Sequence, residues 1–517
     1  MALKGRTRIE LTNVETGEVE VHEDNNMVTN ALSKLLGNYG WFANNALSYA
    51  IAGSSDDGVI KKLTCGLMLF DSEIEENPDI INAPAGVSVV GCGSATAYNG
   101  ANIMAGSYNE TESGWTDDGG YKHVWDFSTS QANGEIACAS LTTNAGGKIT
   151  EGTYPYSSDY FYGVGTKVSN EVMFFDEDVN RNRTVNLVGF NGNYNYWLMF
   201  ADGINNRIIA PLTNEEIGSY NHSGVNTESY EKFKNSVFYK KSIDLALYRF
   251  GFTNFSIFDS AKDSRKTKLL EVKTVEMPDG LKNVFNQEML DDTSYYWKVG
   301  SVSDENNIYI ILSAKQSSSN NIEVGQTFYI WEINATTFES KYYEFYNALD
   351  ESIYMYNLPE NKIYNYFSIC DEHVLCVGES SSCVYIINKN NSYNFEKVTY
   401  PDGSQLRKKL SESQHPVFNN CGKFIFKDNE NPYKVVDPIT KKAMYKNKNL
   451  FKNCTGNVLK VKGTHYFCEG SYMNRDGTSV ITMYLDPTLL VTINNLETPV
   501  QKTSAQTMKV TYILTQE

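Results

Sequence analysis

The stretch TFYIWEINATTFESKYYEFY, residues 327–346, decides the fold class. Apolar and polar side chains alternate through TFYIWEIN and again through KYYEFY, the period of a strand with two unlike faces. ATTFES lies between the two runs and reads as a polar turn. The segment is thus two antiparallel strands, and similar strand–turn–strand units lie on either side of it. YNYWLMF begins near residue 194, SIDLALYRF at 242, NIYIILSA at 307, HVLCVG at 373, KFIFK at 423 and HYFCEG at 465. Each is followed after a polar turn by another strand: RIIAPL, NFSIF, TFYIWEIN, CVYIINK, YKVVD and VITMYL. Their spacing of about 40–65 residues matches the blades of a β-propeller, and about six units are expected over residues 180–490. Stacking blades around an axis hides their faces and leaves short edges. A pair of β-sandwiches is the competing arrangement.

Outward from this centre the texture changes. Ile9 and Leu11 alternate with Arg8 and Glu10, Val19 and Val21 with Glu20 and His22, and Gly17 supplies the turn of a hairpin. In DNNMVTNALSKLLG, Val28, Ala31, Leu32 and Leu35 share a helical stripe. A short helix is expected at about 26–36, capped by Asn25 or Asn26 and ended at Gly37. LTCGLMLF, VSVVG, HVWDFS and EIACASLTT, within 60–150, read as strands. At the far end Met508, Val510, Tyr512 and Leu514 alternate with Lys509, Thr511, Ile513 and Thr515. The expected fold is mainly β. An N-terminal β-domain (1–175) is completed by a C-terminal strand (491–517), with a propeller-like domain (180–490) inserted between them.

Composition narrows the function. Of 517 residues, 41% are hydrophobic and 21% charged, which suits folded domains rather than a disordered chain. A net charge of −17 repels phosphate backbones, so nucleic-acid binding is not expected. No apolar run is long enough to span a bilayer, and no polybasic segment suits a membrane surface. The start lacks the apolar core of a secretory signal, so synthesis and assembly in a cytoplasm are expected. The nine cysteines (Cys65, Cys92, Cys138, Cys370, Cys376, Cys383, Cys421, Cys454 and Cys468) are odd in number and form no CxxC pair. They suggest neither a zinc site nor a disulfide framework.

No chemical motif stands out. GCGSATAYNG and AGSYNETESG are followed by no GK[ST], so turn glycine is preferred to a phosphate loop. The six histidines form no HExxH. Asp176, Asp178 and Asn180 begin like a calcium loop, but Arg181 replaces the turn glycine. Neither a GxSxG elbow nor a papain-type cysteine setting occurs. No metal, no cofactor and no enzymatic activity are expected, although 62 acidic residues leave a glycosidase-type carboxylate pair open. Tyrosine and tryptophan faces stack on sugars. Trp197, Trp297, Tyr354, Tyr356, Tyr364 and Tyr366 are therefore candidates for a ligand or receptor surface, with blade core as the alternative; Trp331, in mid-strand, reads as core.

Three segments carry a family resemblance: KGRTRIELTNVETGEVEVHEDNNMVTNAL (4–32), GSYNETESGWTDDGGYKHVWDFSTSQANGEIACASLTT (106–143) and INNLETPVQKTSAQTMKVTYILTQE (493–517). In this order they resemble tail-associated structural proteins of Firmicutes phages, prophages and phage-tail-like bacteriocins, of the tail-fibre, baseplate or collar type. The resemblance implies a particle component in several copies, anchored by its terminal β-domain among other tail and baseplate proteins. It also allows a receptor-binding module gripping a host cell-wall glycan or surface protein through the propeller. The hairpin edges and the short helix are the features expected to pair with another chain.

Overall fold

The computed structural model describes residues 3–31, 64, 66–100, 102–142, 167–174, 199–205, 207–212, 216–221, 227–249, 268–316, 321–357, 364–400, 403–408, 417–420, 422–428, 431–445, 458–463, 466–473, 479–485 and 490–516. Strands dominate, in two assemblies.

The first assembly is a nearly closed, barrel-like sheet built from both ends of the chain. Leu3–Asn13 lies between Val19–Val28 and Gln506–Gln516, pairing antiparallel with each. Ile9 stands opposite Val510 and Leu3 opposite Gln516, so the expected C-terminal return takes place. A second strand from that end, Thr492–Lys502, joins Val19–Val28 to Gly134–Thr142. The path continues through Gly66–Phe70 to Val89–Gly93 on one side. On the other it runs through Tyr121–Phe127 to Ser107–Tyr108. The two ends of the path meet. The Cys92 amide donates to Met104 O at 2.8 Å, and the Gly106 amide donates to Cys92 O at 2.8 Å. Closure satisfies edge groups that an open sheet leaves bare.

The barrel interior holds Ile9, Leu11, Leu69, Trp125, Phe127, Val510 and Tyr512. Two glycines of the Gly-rich stretches have a packing reason. A Cβ on Gly93 would lie 2.5 Å from Trp125 Cδ1, and one on Gly106 2.5 Å from Phe127 Cζ. Only hydrogen fits beneath these rings.

The expected helix at 26–36 is corrected at its start. Val19–Val28 is one extended strand, which places Asn25, Asn26 and Val28 in the sheet. The backbone turns helical only at Ala31, whose amide donates to Thr29 Oγ1 at 3.1 Å. Thr29 therefore does the capping, because pairing of Met27 with Ile493 outweighs the helical spacing of the apolar residues. Residues 32–36 lie outside the described residues.

The second assembly is propeller-like, with five four-stranded antiparallel units among the described residues; Gly218–Asn221 adds a strand to the second, and Asn321–Ile322 and Ile353–Tyr354 extend the third. The first blade is Phe200–Asp202, Arg207–Pro211, Ser242–Arg249 and Lys268–Glu276. The second is Tyr296–Ser303, Asn307–Lys315, Thr327–Asn334 and Ser340–Tyr346. The third is Ser368–Cys370, His373–Gly378, Val384–Asn388 and Asn391–Lys397. The fourth is Val417–Asn420, Lys423–Asp428, Asn431–Asp437 and Lys442–Tyr445. The fifth takes Val458–Lys462, Tyr466–Met473 and Ser479–Leu485 from late in the chain and its outer strand, Lys167–Phe174, from early in it. The first and fifth blades join through parallel pairing of Ala201 with Val461.

About six units correspond to five blades among the described residues, within the five to seven expected, because the units beginning near 194 and at 242 are halves of one blade. An excursion carrying helices Glu228–Lys234 and Val237–Lys240 separates them and folds back onto the core. The strand 167–174, assigned by sequence to the first domain, pairs instead with Ser479–Leu485 and closes the ring of blades. Neighbouring blades meet through apolar faces. Leu245 and Trp297 share one such core, Phe328, Phe345 and Val374 the next, and Leu375 and Val436 a third. The packing is radial rather than that of two facing sheets.

Candidate functional site

Asp and Asn end the inner strands and shape their turns, since their short side chains accept from the backbone two and three residues on. Asp202 accepts from Ile204 N and Asn205 N, both at 3.0 Å. Asp304 accepts from Asn306 N at 2.8 Å and Asn307 N at 2.7 Å. The second-blade turn at 304–306 and the third-blade turn at 371 meet Asn419, Gly422, Lys460 and Gly463 of the next two blades around one cavity of about 470 Å³. Residues 79–85 of the barrel-like unit complete the lining. The Gly86 amide fastens this segment to the fourth blade by donating to Asp437 Oδ2 at 2.7 Å.

The cavity wall is polar, with Asp79, Asn82, Glu305, Asn306, Asp371 and Lys460 among its residues. Behind it runs a buried chain of hydrogen bonds between the second and third blades. Tyr309 donates to Asp304 Oδ2 at 2.5 Å. Lys389 Nζ donates to Tyr309 at 3.4 Å and to Glu332 Oε2 at 3.0 Å, and Lys341 closes on Glu332 Oε1 at 3.2 Å. Burial, against the pull of these donors, raises the Asp304 carboxyl above the usual carboxylate range. Burial first, and then the neighbouring Asp304, also pushes the Tyr309 phenol upward.

Asp304 already accepts from Asn306 N, Asn307 N and Tyr309, with the Asp371 amide at 3.3 Å, so its lone pairs are spent on structure. Cys370 Sγ faces Asp371 Oδ2 at 3.7 Å, and no histidine is among the described lining residues. The wall can hydrogen-bond a small polar molecule.

Of the aromatic candidates, Trp297 and Tyr366 are buried and are corrected to core residues. Trp297 packs against Phe238 at 4.8 Å and Phe233 at 5.3 Å between ring centroids. The helices that supply these rings were not legible in the strand pattern. Tyr366 meets half-buried Tyr354 edge to face at 4.5 Å, with Lys408 Nζ 5.6 Å from its ring centre. Tyr356 and Tyr364 belong to a two-stranded ribbon, Tyr356 opposite Asn365 and Asn357 opposite Tyr364; beyond that pairing they lie outside the described residues. Trp197 and the 176–181 loop also lie outside them. Trp331 is buried in the core, as its mid-strand position implies.

Sequence reasoning passed over the tyrosines that are exposed. Tyr346 (40% exposed) and Tyr393 (65%) stand on the outer strands of the second and third blades, with ring centroids 6.2 Å apart. The signal was their place in the fourth strand of a meander, where one face has little left to pack against. Among the described residues no cluster of three His, Cys, Asp or Glu could hold a metal ion, and no helix is long and apolar enough to cross a membrane.

No known family profile matches the chain, and neither does any curated protein sequence. Among solved structures, the chain is similar to Myxococcus xanthus glutaminyl cyclase at 7% identity and TM-score 0.21, over 49% of this chain and 84% of that one. BamB from Moraxella catarrhalis aligns at 8% identity and TM-score 0.21, over 52% and 80%. Apo AztD from Citrobacter koseri aligns at 9% identity and TM-score 0.23, over 74% and 94%. Superpositions this loose carry no functional argument; the fold description rests on the strand pairing above.

Proposed function

We propose that the protein is a non-enzymatic structural component of a phage tail or phage-tail-like particle, anchored by its barrel-like sheet and projecting the propeller-like module. The observation that carries this reading is the pairing of Leu3–Asn13 with Gln506–Gln516. Both ends of the chain are sewn into one sheet, so the blades form an insertion held at a single base. That design suits an anchored, displayed module, and the three resembling segments all fall in the anchoring part. The test is proteomic and structural. Particles purified from the producing bacterium should contain the chain at fixed stoichiometry, and antibodies to the propeller should decorate them. Consistent absence of the chain from such particles would refute the proposal.

A second reading, a receptor-binding module for a host cell-surface glycan or protein, is favoured by the exposed Tyr346–Tyr393 pair, since such rings stack on sugars. Binding of the purified protein to host cell walls, lost in a Tyr346→Ala/Tyr393→Ala variant, would support it. Equal binding by that variant would remove these tyrosines from the reading.

A further inference from the structure

Closure of the barrel-like sheet is incomplete at one place. Thr492–Lys502 pairs with Val19–Val28 only through Met27–Ile493 and Val28–Thr492, then turns away to Gly134–Thr142. Among the described residues, no strand covers the outer edge of residues 19–26.

The hairpin sets which groups face that edge. The Asn13 amide donates to Glu18 O at 2.9 Å, and the register continues Leu11–Glu20, Ile9–His22 and Thr7–Asp24. In an antiparallel ladder bonded pairs alternate with non-bonded ones. Glu20, His22 and Asp24 therefore bond inward, while Val19, Val21, Glu23 and Asn25 turn their N–H and C=O groups outward. Val19 is 52% exposed and Val21 43%. An uncovered edge bearing valines is a template for another strand.

We infer that this edge pairs antiparallel with the same edge of a second copy, about a two-fold axis through Val21. Charge selects the register. An axis at Val21 places Val21 opposite its counterpart, Val19 opposite Glu23, and Glu20 opposite His22 twice over. An axis at Glu23 sets two Glu23 carboxylates face to face, where each would have to share space with the Arg6 and Arg8 that already hold it, and an axis at Val19 sets Glu18 against Glu20. Hydrogen-bonding pairs across strands stabilise and like charges repel. Glu20 and His22 already meet within one protomer at 2.8 Å, so their exchange across the axis keeps the same chemistry. The contact is isologous and closed, yielding a dimer rather than a fibre. It would supply the copy-to-copy contact of the proposed particle component, but it stands independently of that reading.

The test is sedimentation equilibrium of the full chain from about 10 µM to about 1 mM, because pairing through one short strand points to a dissociation constant on the order of 10–100 µM. Val21→Pro removes an outward amide and no intramolecular bond, so it should abolish the dimer and leave the melting curve unchanged. His22→Glu should weaken the dimer by about tenfold, and Glu20→Lys/His22→Glu should restore it. A wild-type chain that stays monomeric throughout would overturn the inference. So would a dimer indifferent to both Val21→Pro and His22→Glu. If Val21→Pro fails to fold, the charge-exchange pair decides the matter alone.

Discussion

Tyr309 donates its phenolic O–H to Asp304 at 2.5 Å, with both side chains buried where the second blade turns from its first strand to its second. Tyr309→Phe leaves that carboxylate oxygen with only the longer bond from the Asp371 amide, and it also removes an acceptor from Lys389. An unsatisfied buried acceptor costs about 1–3 kcal/mol. Urea unfolding should show a loss of that size with an unchanged denaturant slope.

Removing residues 490–517 should unravel the barrel-like unit specifically. Gln506–Gln516 lies between Leu3–Asn13 and Tyr121–Phe127, so its loss opens two ladders. Hydrogen exchange should show protection lost in residues 3–13 and 121–127 but retained in the second and third blades, whose pairing is their own. Persistent protection at 3–13 would contradict the shared sheet.

Lys241 has φ +59°, in the left-handed region just after helix Val237–Lys240, and its Nζ is buried without a hydrogen-bond partner. Glycine adopts this conformation freely, and the position is its usual place beyond a helix end. By relieving the left-handed strain, Lys241→Gly should raise stability by about 1 kcal/mol, visible as a higher melting temperature.

Burial depresses four lysines among the described residues: Lys298 to about 7, with a further push from Lys315, Lys241 and Lys502 to about 8, and Lys315 itself. In the unfolded chain lysine titrates near 10.4, so between these values the unfolded state binds more protons. Stability should therefore rise as pH increases from about 7 towards about 9.5, the opposite of a lysine that gains an ion-pair partner on folding. Denaturation midpoints across that range check the sign, and Lys298→Met should flatten the lower part of the curve.

Cys92, Cys138, Cys370, Cys376 and Cys383 are buried as free thiols. Burial raises the Cys138 thiol to about 11 and pushes Cys376 upward as well, which disfavours the reactive thiolate. Titration of denatured protein should return nine thiols, whereas these five should react slowly in the native state.

The strands were legible as short apolar runs bounded by polar turns, but the expected polar face of Thr327–Asn334 is corrected: Phe328 and Ile330 fill one blade interface and Trp331 and Ile333 another, so both faces are covered. Blade membership was less legible. The helical excursion before Ser242 imitates a blade boundary, and Lys167–Phe174 is claimed by a strand far along the chain. Local pattern records which face is apolar, not which partner covers it. The same limit governed the aromatic residues. Trp297 and Tyr346 both sit in alternating strands, but one lies beneath Phe233 and Phe238 and the other stands on an outermost strand. A repeated turn also went unused: Asn334 accepts from Thr336 and Thr337 as Asp437 does from Ile439 and Thr440. Phe338 at φ +62° and Lys441 at φ +56° follow at the same offset, marking the third-to-fourth strand turn of two blades.

The pairing of Lys167–Phe174 with Ser479–Leu485 has a consequence for biosynthesis. A ribosome adds about 5–20 residues per second, so the early strand waits on the order of 15–60 seconds before its partner has been made. Leu3–Asn13 waits longer still for Gln506–Gln516. During translation both stretches are unmatched edges that a chaperone must shelter or a protease can seize. A chain released early can complete neither pairing, so the architecture makes incompletely translated copies recognisable to quality control.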